Sequence, residues 1–263
     1  MKTEIESKQL LVRYGIATTS PKLVTSATMA AAAVAELGRP CALKVVSPDI
    51  VHKVYAGGVR LSVMADHAAD AYDSIIAACR ASHPDAAVEG VLVEEMIPAG
   101  LEVFIGARVD PDYGPVILVG PGGSGVEQRT RPIAALAPID RDIALALIDA
   151  ALPGRFDGAN AKGRDALAQY IVAVGGADGL LLKEAVGEID INPVIISGAS
   201  AIAVDAVVGE LPAALTSVPR SLSDTARVIG ERKARLADLE ALFDPKAIAF
   251  VGASTSKDKL GYH

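Results

Sequence analysis

The chain has 263 residues, 51% of them hydrophobic and 22% charged, with a formal net charge of -7. That length and balance describe a globular protein with a core of its own, in one large domain or two smaller ones. The acidic surplus and the lack of tryptophan argue against a duplex-scale basic face or a base-stacking platform, so nucleic acid is not an expected partner. A single nucleotide is compatible, because one lysine and a metal ion can neutralise a triphosphate inside an acidic protein.

Residues 4–14 have the spacing of an amphipathic helix, and Ser26 caps a second, alanine-rich helix that runs to Gly38. The run 41–47 is apolar and β-branched with Lys44 at its centre, which predicts a strand. Residues 47–58 hold a proline and a glycine pair and read as a loop before a strand at 59–64. Helical periodicity returns over 66–82. Strands are expected at 90–97, 101–109 and 115–120, with a turn at 110–114. The glycine-rich segment 121–125 requires unusual backbone angles. Helices are expected over 140–152 and 163–174, and a hairpin over 187–197 and 200–209. This succession predicts an α+β domain built from two lobes.

The composition shifts after residue 210. Residues 222–242 are charged and helical, as a linker helix would be, and 243–254 form an apolar strand ending in a glycine turn. That pattern opens a doubly wound domain, and one first strand cannot bury both of its faces, so the chain reads as part of a longer polypeptide. The expected division is 1–215, 216–242 and 243–263. Cys41 and Cys79 lie in apolar surroundings without CxxC spacing and read as free thiols in a reducing compartment. No apolar run is of membrane-spanning length and the start lacks a signal-peptide core, so a cytoplasmic protein without a membrane partner is expected.

Several segments, in order and well spaced, carry a family resemblance: LLVRYGI, LKVVSPDIVHKVYAGGVRL, GVLVEEMIPAGLEVFIGARVDPDYGPVILVGPGG and EIDINPVIISGASAIAVDA. Together they resemble the ATP-grasp unit of NDP-forming acyl-CoA synthetases, relatives of the succinyl-CoA synthetase β subunit, over about residues 5–210. The segment 242–262 resembles the start of that family's CoA-binding domain. The resemblance implies a two-lobed ATP-grasp fold and a reversible reaction in which acid, ATP and CoA give acyl-CoA, ADP and phosphate through a phosphohistidine. It also implies ATP or ADP with Mg²⁺ at this chain, and CoA through domains in the same longer chain or on a partner subunit. Two other readings stay open: another ATP-grasp carboxylate ligase, and a nucleotide-sensing regulatory domain of a protein acyltransferase fusion.

The candidate site residues follow. A lysine inside a buried strand needs a counter-charge, which for Lys44 is a nucleotide phosphate or a core carboxylate. The resemblance implies that Glu94, Glu95 and Met96 form the hinge beside the nucleotide, that Glu102 faces it, and that Gly57, Gly58 and Arg60 also contact it. Asp205 interrupts an apolar run and must be paired or liganded, and a hairpin can set it beside Asn192. Such hard oxygen donors suit Mg²⁺, and in the resembled family these positions hold it, with Asp190 nearby. Residues 121–125 could offer backbone N–H groups to phosphate, although GGSGVEQ departs from the family's GGVFVE while keeping an acid at Glu127. His52, in a loop beside Lys53, stands where the family carries a relay histidine.

Overall fold

Thr3 opens the first helix, α1 (Glu4–Arg13), with a reciprocal cap: its hydroxyl accepts from the Glu6 N–H while the Glu6 carboxylate accepts from the Thr3 N–H. The computed structural model describes residues 1–50, 53–123, 132–156 and 160–218. After β1 (Lys22–Val24), the Ser26 hydroxyl accepts from Met29 to start α2 (Ala27–Leu37), and Gly38 ends it in the left-handed conformation at φ 63°. β2 (Cys41–Val46) and β3 (Val59–Val63) follow, then α3 (Ala68–Ser82) and β4 (Gly90–Glu95). These strands make one antiparallel sheet in the order β1-β4-β2-β3. Side chains alternate across a strand, so Cys41, Leu43 and Val45 point into the core shared with α2 and α3, while Lys44 points to the other face.

Residues 96–100 lead from that sheet into the second, built from β5 (Leu101–Asp110), β6 (Gly114–Pro121), β7 (Ile133–Leu136), β8 (Val186–Ser197), β9 (Ser200–Ala203) and β10 (Ala206–Glu210). The order is β10-β8-β5-β6-β7 with β9 paired to β8, and every pairing is again antiparallel. α4 (Arg141–Ala151), capped by Asp140, and α5 (Ala161–Gly175) pack on it around Ile105, Ile117, Ile148, Leu167, Ile171 and Ile191, and the short α6 (Leu180–Lys183) adds Leu180 and Leu181. The 161–183 stretch is long and apolar enough to cross a membrane, with mean hydropathy 1.2, yet more than half of it is buried in this core. α1 belongs to the same core through Leu10 and Leu11, while the opposite end of its inner face, at Glu4 and Lys8, reaches the first sheet.

Two sheets with separate cores agree with the expected two-lobed α+β fold. Two details differ. β1 and β7 were not expected, being only three and four residues long, too short to show an alternating pattern. The expected strand over 200–209 is two strands, broken at Val204 and Asp205. Glu94 and Glu102 lie on consecutive strands, which belong to different sheets on either side of the 96–100 link. The expected linker helix at 222–242 and strand at 243–254 lie outside the described residues.

Candidate functional site

Where α1, the Lys44 face of the first sheet and the break between β9 and β10 meet, three lysines and two carboxylates, those of Glu4 and Glu94, come together. Lys8 donates to Glu4 at 3.0 Å, to the Thr19 hydroxyl at 2.8 Å and to Glu94 at 2.6 Å, and Thr19 donates in turn to Glu94. Lys44 donates to Glu4 Oε1 at 3.1 Å and to the Val204 carbonyl at 3.2 Å, and its ammonium is in ionic contact with Glu94 Oε1. Lys53 donates to the other Glu4 oxygen at 2.6 Å. Glu94 is fully buried, Lys8 is 2% exposed and Lys44 is 6% exposed. Burying so many charges is tolerable only because each meets opposite charge with directed hydrogen bonds.

The mutual pairing decides how the cluster titrates. Burial alone would push the Glu4 carboxyl up, but Lys44, Lys53 and Lys8 outweigh it and hold the carboxyl far below its ordinary value of 4.5. Burial would likewise lower Lys44, and Asp205, Glu4 and Glu94 overcome it and raise the ammonium above its ordinary 10.5. Asp205 differs: burial pushes its carboxyl up from 3.8, and Lys44 only partly opposes this. A carboxyl whose folded pKa is depressed contributes stability that is present above its unfolded value and lost as the pH falls below it. Glu4→Gln is therefore expected to lower the unfolding midpoint at pH 7, with the gap to wild type closing below about pH 4.5, checked by thermal scans of both proteins.

On the second sheet, Asn192 and Asp205 are neighbours, as the hairpin spacing suggested. The Asn192 N–H donates to the Asp205 carbonyl at 3.2 Å. Asn192 Oδ1 accepts from the Gly123 N–H at 2.9 Å, and Asp205 Oδ1 accepts from the Ala206 N–H at 2.9 Å. Glu102 is exposed and joins them through the glycines: its carbonyl accepts from the Gly122 N–H at 2.9 Å, and its carboxylate lies where a side chain on Gly123 would stand, 1.8 Å from an added Cβ. Hence Glu102, Gly123, Asn192 and Asp205 form one surface, and Val204, beside Asp205, connects it to Lys44. Asn192 keeps one acceptor position and Asp205 a second carboxylate oxygen, which are hard donors of the type Mg²⁺ prefers. Among the described residues no group of three or more His, Cys, Asp or Glu could hold a metal ion. The pair therefore suits a cation that takes its other ligands from phosphate and water.

The other expected residues fall elsewhere. Arg60 pairs in register with Leu43 and points with it toward α3, where it donates to Ser74 at 2.7 Å and to the Gly57 and Val59 carbonyls. It faces away from Lys44, because their positions have opposite parity on paired strands. Gly57 and Gly58 serve their own turn. Gly57 has φ 69°, the Gly58 N–H donates to the Lys53 carbonyl at 2.8 Å, and a Cβ on Gly58 would stand 2.4 Å from Val45 Cγ1. Glu95 pairs with Arg39 at 2.8 Å, and the Met96 N–H donates to the Pro40 carbonyl at 3.1 Å, tying the link between the sheets to the start of β2. Asp190 is exposed on β8. His52, Glu127 and residues 124–125 of the glycine segment lie outside the described residues. Glu4, Lys8 and Thr19 were not singled out from the sequence. Their signal was a Glu and a Lys four apart on the same helical face as buried Leu11.

Comparison with known proteins adds the lineage. A sequence profile for an ATP-grasp domain matches residues 1–209. The chain is 39% identical over 211 residues to the beta subunit of an ADP-forming acetate–CoA ligase I from Pyrococcus furiosus, covering 77% of this chain and 89% of that one. It is 30% identical over 274 residues to the ADP-forming acetate–CoA ligase II of Archaeoglobus fulgidus, spanning 99% of this chain but only 35% of that longer one. Among solved structures, acetyl-coenzyme A synthetase 1 of Candidatus Korarchaeum cryptofilum, in complex with coenzyme A and Ca-AMPCP, superimposes with a TM-score of 0.72 and 30% identity over 80% of this chain and 93% of that one.

Proposed function

This chain belongs to the ATP-grasp domain family, with ADP-forming acetate–CoA ligase subunits among its relatives, and from that premise we propose that it is the nucleotide-binding, phosphoryl-transfer part of an ADP-forming acyl-CoA synthetase. The observation that carries the reading is the junction of the two sheets. There, a cluster of three lysines adjoins the paired oxygen donors of Asn192 and Asp205, with Glu102 beside them. Positive charge next to hard oxygen ligands is what a metal-bound polyphosphate requires.

In this reading Asn192 and Asp205 would hold Mg²⁺, which would supply positive charge to the phosphates. Lys44 supplies positive charge to the phosphates. Residues Glu94, Glu95 and Met96 stand at the hinge, where backbone groups meet the purine, and Glu102 faces the ribose. Gly57 and Gly58 contribute by shaping the loop that carries Lys53, and Arg60 braces that loop from the far side of the sheet. His52 relays the phosphoryl group to a histidine on a ligase domain. CoA binds through further domains in the same longer chain or on a partner subunit, with residues 216–242 as a linker helix and 243–263 as the start of the CoA-binding domain, in a cytoplasmic enzyme. The protein of 263 residues is expected to bind ATP and ADP in calorimetric titrations with Mg²⁺ and to form no acyl-CoA from acetate, ATP and CoA when alone. No measurable nucleotide affinity would count against the reading, and acyl-CoA formation would count against this division of labour.

A further inference from the structure

The chain crosses between the two sheets twice. Residues 17–19 belong with the second sheet: the Ala203 N–H donates to the Ala17 carbonyl at 2.9 Å, Thr18 bridges Ala203, and the Thr19 N–H donates to the Ala203 carbonyl at 3.3 Å. By Lys22 the chain is in the first sheet, where β1 pairs with β4 in the register Lys22 to Val93. The return crossing, 96–100, leaves from the end of that same β4. At its start the Met96 N–H donates to the Pro40 carbonyl, and at its end an added Cβ on Gly100 would stand 2.3 Å from the Ile196 carbonyl. The two crossings therefore lie side by side, between clusters of buried apolar residues that share no member. Two neighbouring chain segments joining separate cores have the geometry of a hinge.

One buried group ties the crossings together. Thr19, its backbone held by β9, donates its hydroxyl to Glu94 Oε2 on β4 at 2.5 Å. Lys8, on the helix whose Leu10 and Leu11 lie in the second core, donates to the same oxygen at 2.6 Å and to the Thr19 hydroxyl at 2.8 Å. Each of the three residues is at most 2% exposed. Two side chains anchored in the second lobe thus converge on one carboxylate oxygen of the first, at the point where the chain passes between them. Such bonds depend steeply on direction, and burial removes water as a substitute partner, so they are satisfied at one angle between the sheets.

From this arrangement, and resting on the nucleotide reading above, we infer that Thr19 and Lys8 are positioning residues of the nucleotide site: with Glu94 they pin the hinge and fix the angle at which Lys44 faces Asn192 and Asp205. The test uses the chain of 263 residues. Thr19→Val keeps the side-chain shape and removes the hydroxyl. Lys8 keeps Glu4 and Glu94, and Glu94 keeps Lys8 and Lys44, so every charge stays paired and the unfolding midpoint is expected within about 5 °C of wild type. Spin labels at Ala77→Cys on α3 and Ala146→Cys on α4, both exposed positions, read the distance between the lobes, while the native Cys41 and Cys79 are fully buried. Without ligand, wild type is expected to show one narrow distance population and Thr19→Val one broader by at least about twofold. Saturating Mg-ADP should return the variant to the wild-type distance, with affinity lowered about 3–10-fold because fewer molecules hold the competent angle. Thr19→Ser, which restores the donor, should recover both readouts, and Thr18→Val, the same change one residue away, should alter neither. A ligand-free distance in Thr19→Val as narrow as in wild type, or no recovery in Thr19→Ser, would overturn the inference and leave the nucleotide reading standing. If Thr19→Val broadens the distance while wild type binds no Mg-ADP, the hinge pin stands and the nucleotide reading fails.

Discussion

Asp205→Asn is expected to remove the Mg²⁺-dependent part of nucleotide affinity, a loss of at least about 10–100-fold, without lowering the unfolding midpoint of the ligand-free protein. The two halves of this expectation come from the same carboxylate. With Asn192 it supplies the paired oxygens at the junction, and an amide in its place keeps the shape but loses the charge that holds a hard cation. Its pKa is raised from 3.8 because burial disfavours the ion more than Lys44 favours it. A group with a raised acid pKa costs stability at every pH above its unfolded value, so the neutral amide removes a penalty at pH 7. Lys44 keeps Glu4 and Glu94 as partners when Asp205 is neutral. Calorimetric titrations with Mg²⁺ and with a chelator, alongside thermal scans, separate the two effects. Equal affinities for mutant and wild type in Mg²⁺ would remove Asp205 from the metal site. A midpoint many degrees lower would make it a structural acid.

Glu94→Ala should have the opposite signature, a large loss of stability at any ligand concentration. Glu94 is fully buried and is a shared partner of Lys8, Lys44 and Thr19. Its removal leaves two buried ammoniums short of counter-charge and the Thr19 hydroxyl without its acceptor. Breaking a buried pair from one side costs about 3–5 kcal/mol, or roughly 10 °C in midpoint for a unit of this size. Replacing both sides is cheaper than replacing one, since an apolar substitute needs no partner, so Glu94→Met with Lys8→Met should regain part of the loss. Denaturant titrations of the single and double variants read this directly. A single variant as stable as wild type would mean that Glu94 is ionically redundant, and its place in the cluster incidental.

The sequence by itself determined most of the local structure, because the deciding physics was local. Ser26 and Gly38 bracket α2 where capping and the left-handed conformation require them. The alternation in β2 placed Lys44 opposite the apolar face of Leu43 and Val45, and the family motifs carried the lineage. The sequence also left Lys44 with two partners, phosphate or carboxylate, and only the tertiary structure decided that Glu4 and Glu94 surround it. The reason is sequence distance. Glu4 and Glu94 lie 40 residues before and 50 after Lys44, and no spacing rule reaches so far; their meeting depends on α1 packing with the second sheet's core while its charged end reaches the first. The break at Val204 and Asp205 was hidden for a related reason: Asp205 marks a polar point in the apolar run, but that the strand stops there depends on the Val204 carbonyl meeting Lys44 and the Asp205 carbonyl meeting Asn192. Arg60 shows the reverse error, a motif residue adjacent in sequence to the glycine pair yet turned to the opposite face by strand parity and held there by Ser74. Local rules assign each residue an element and a face; which charges then meet across two separate cores is decided only when those cores have packed.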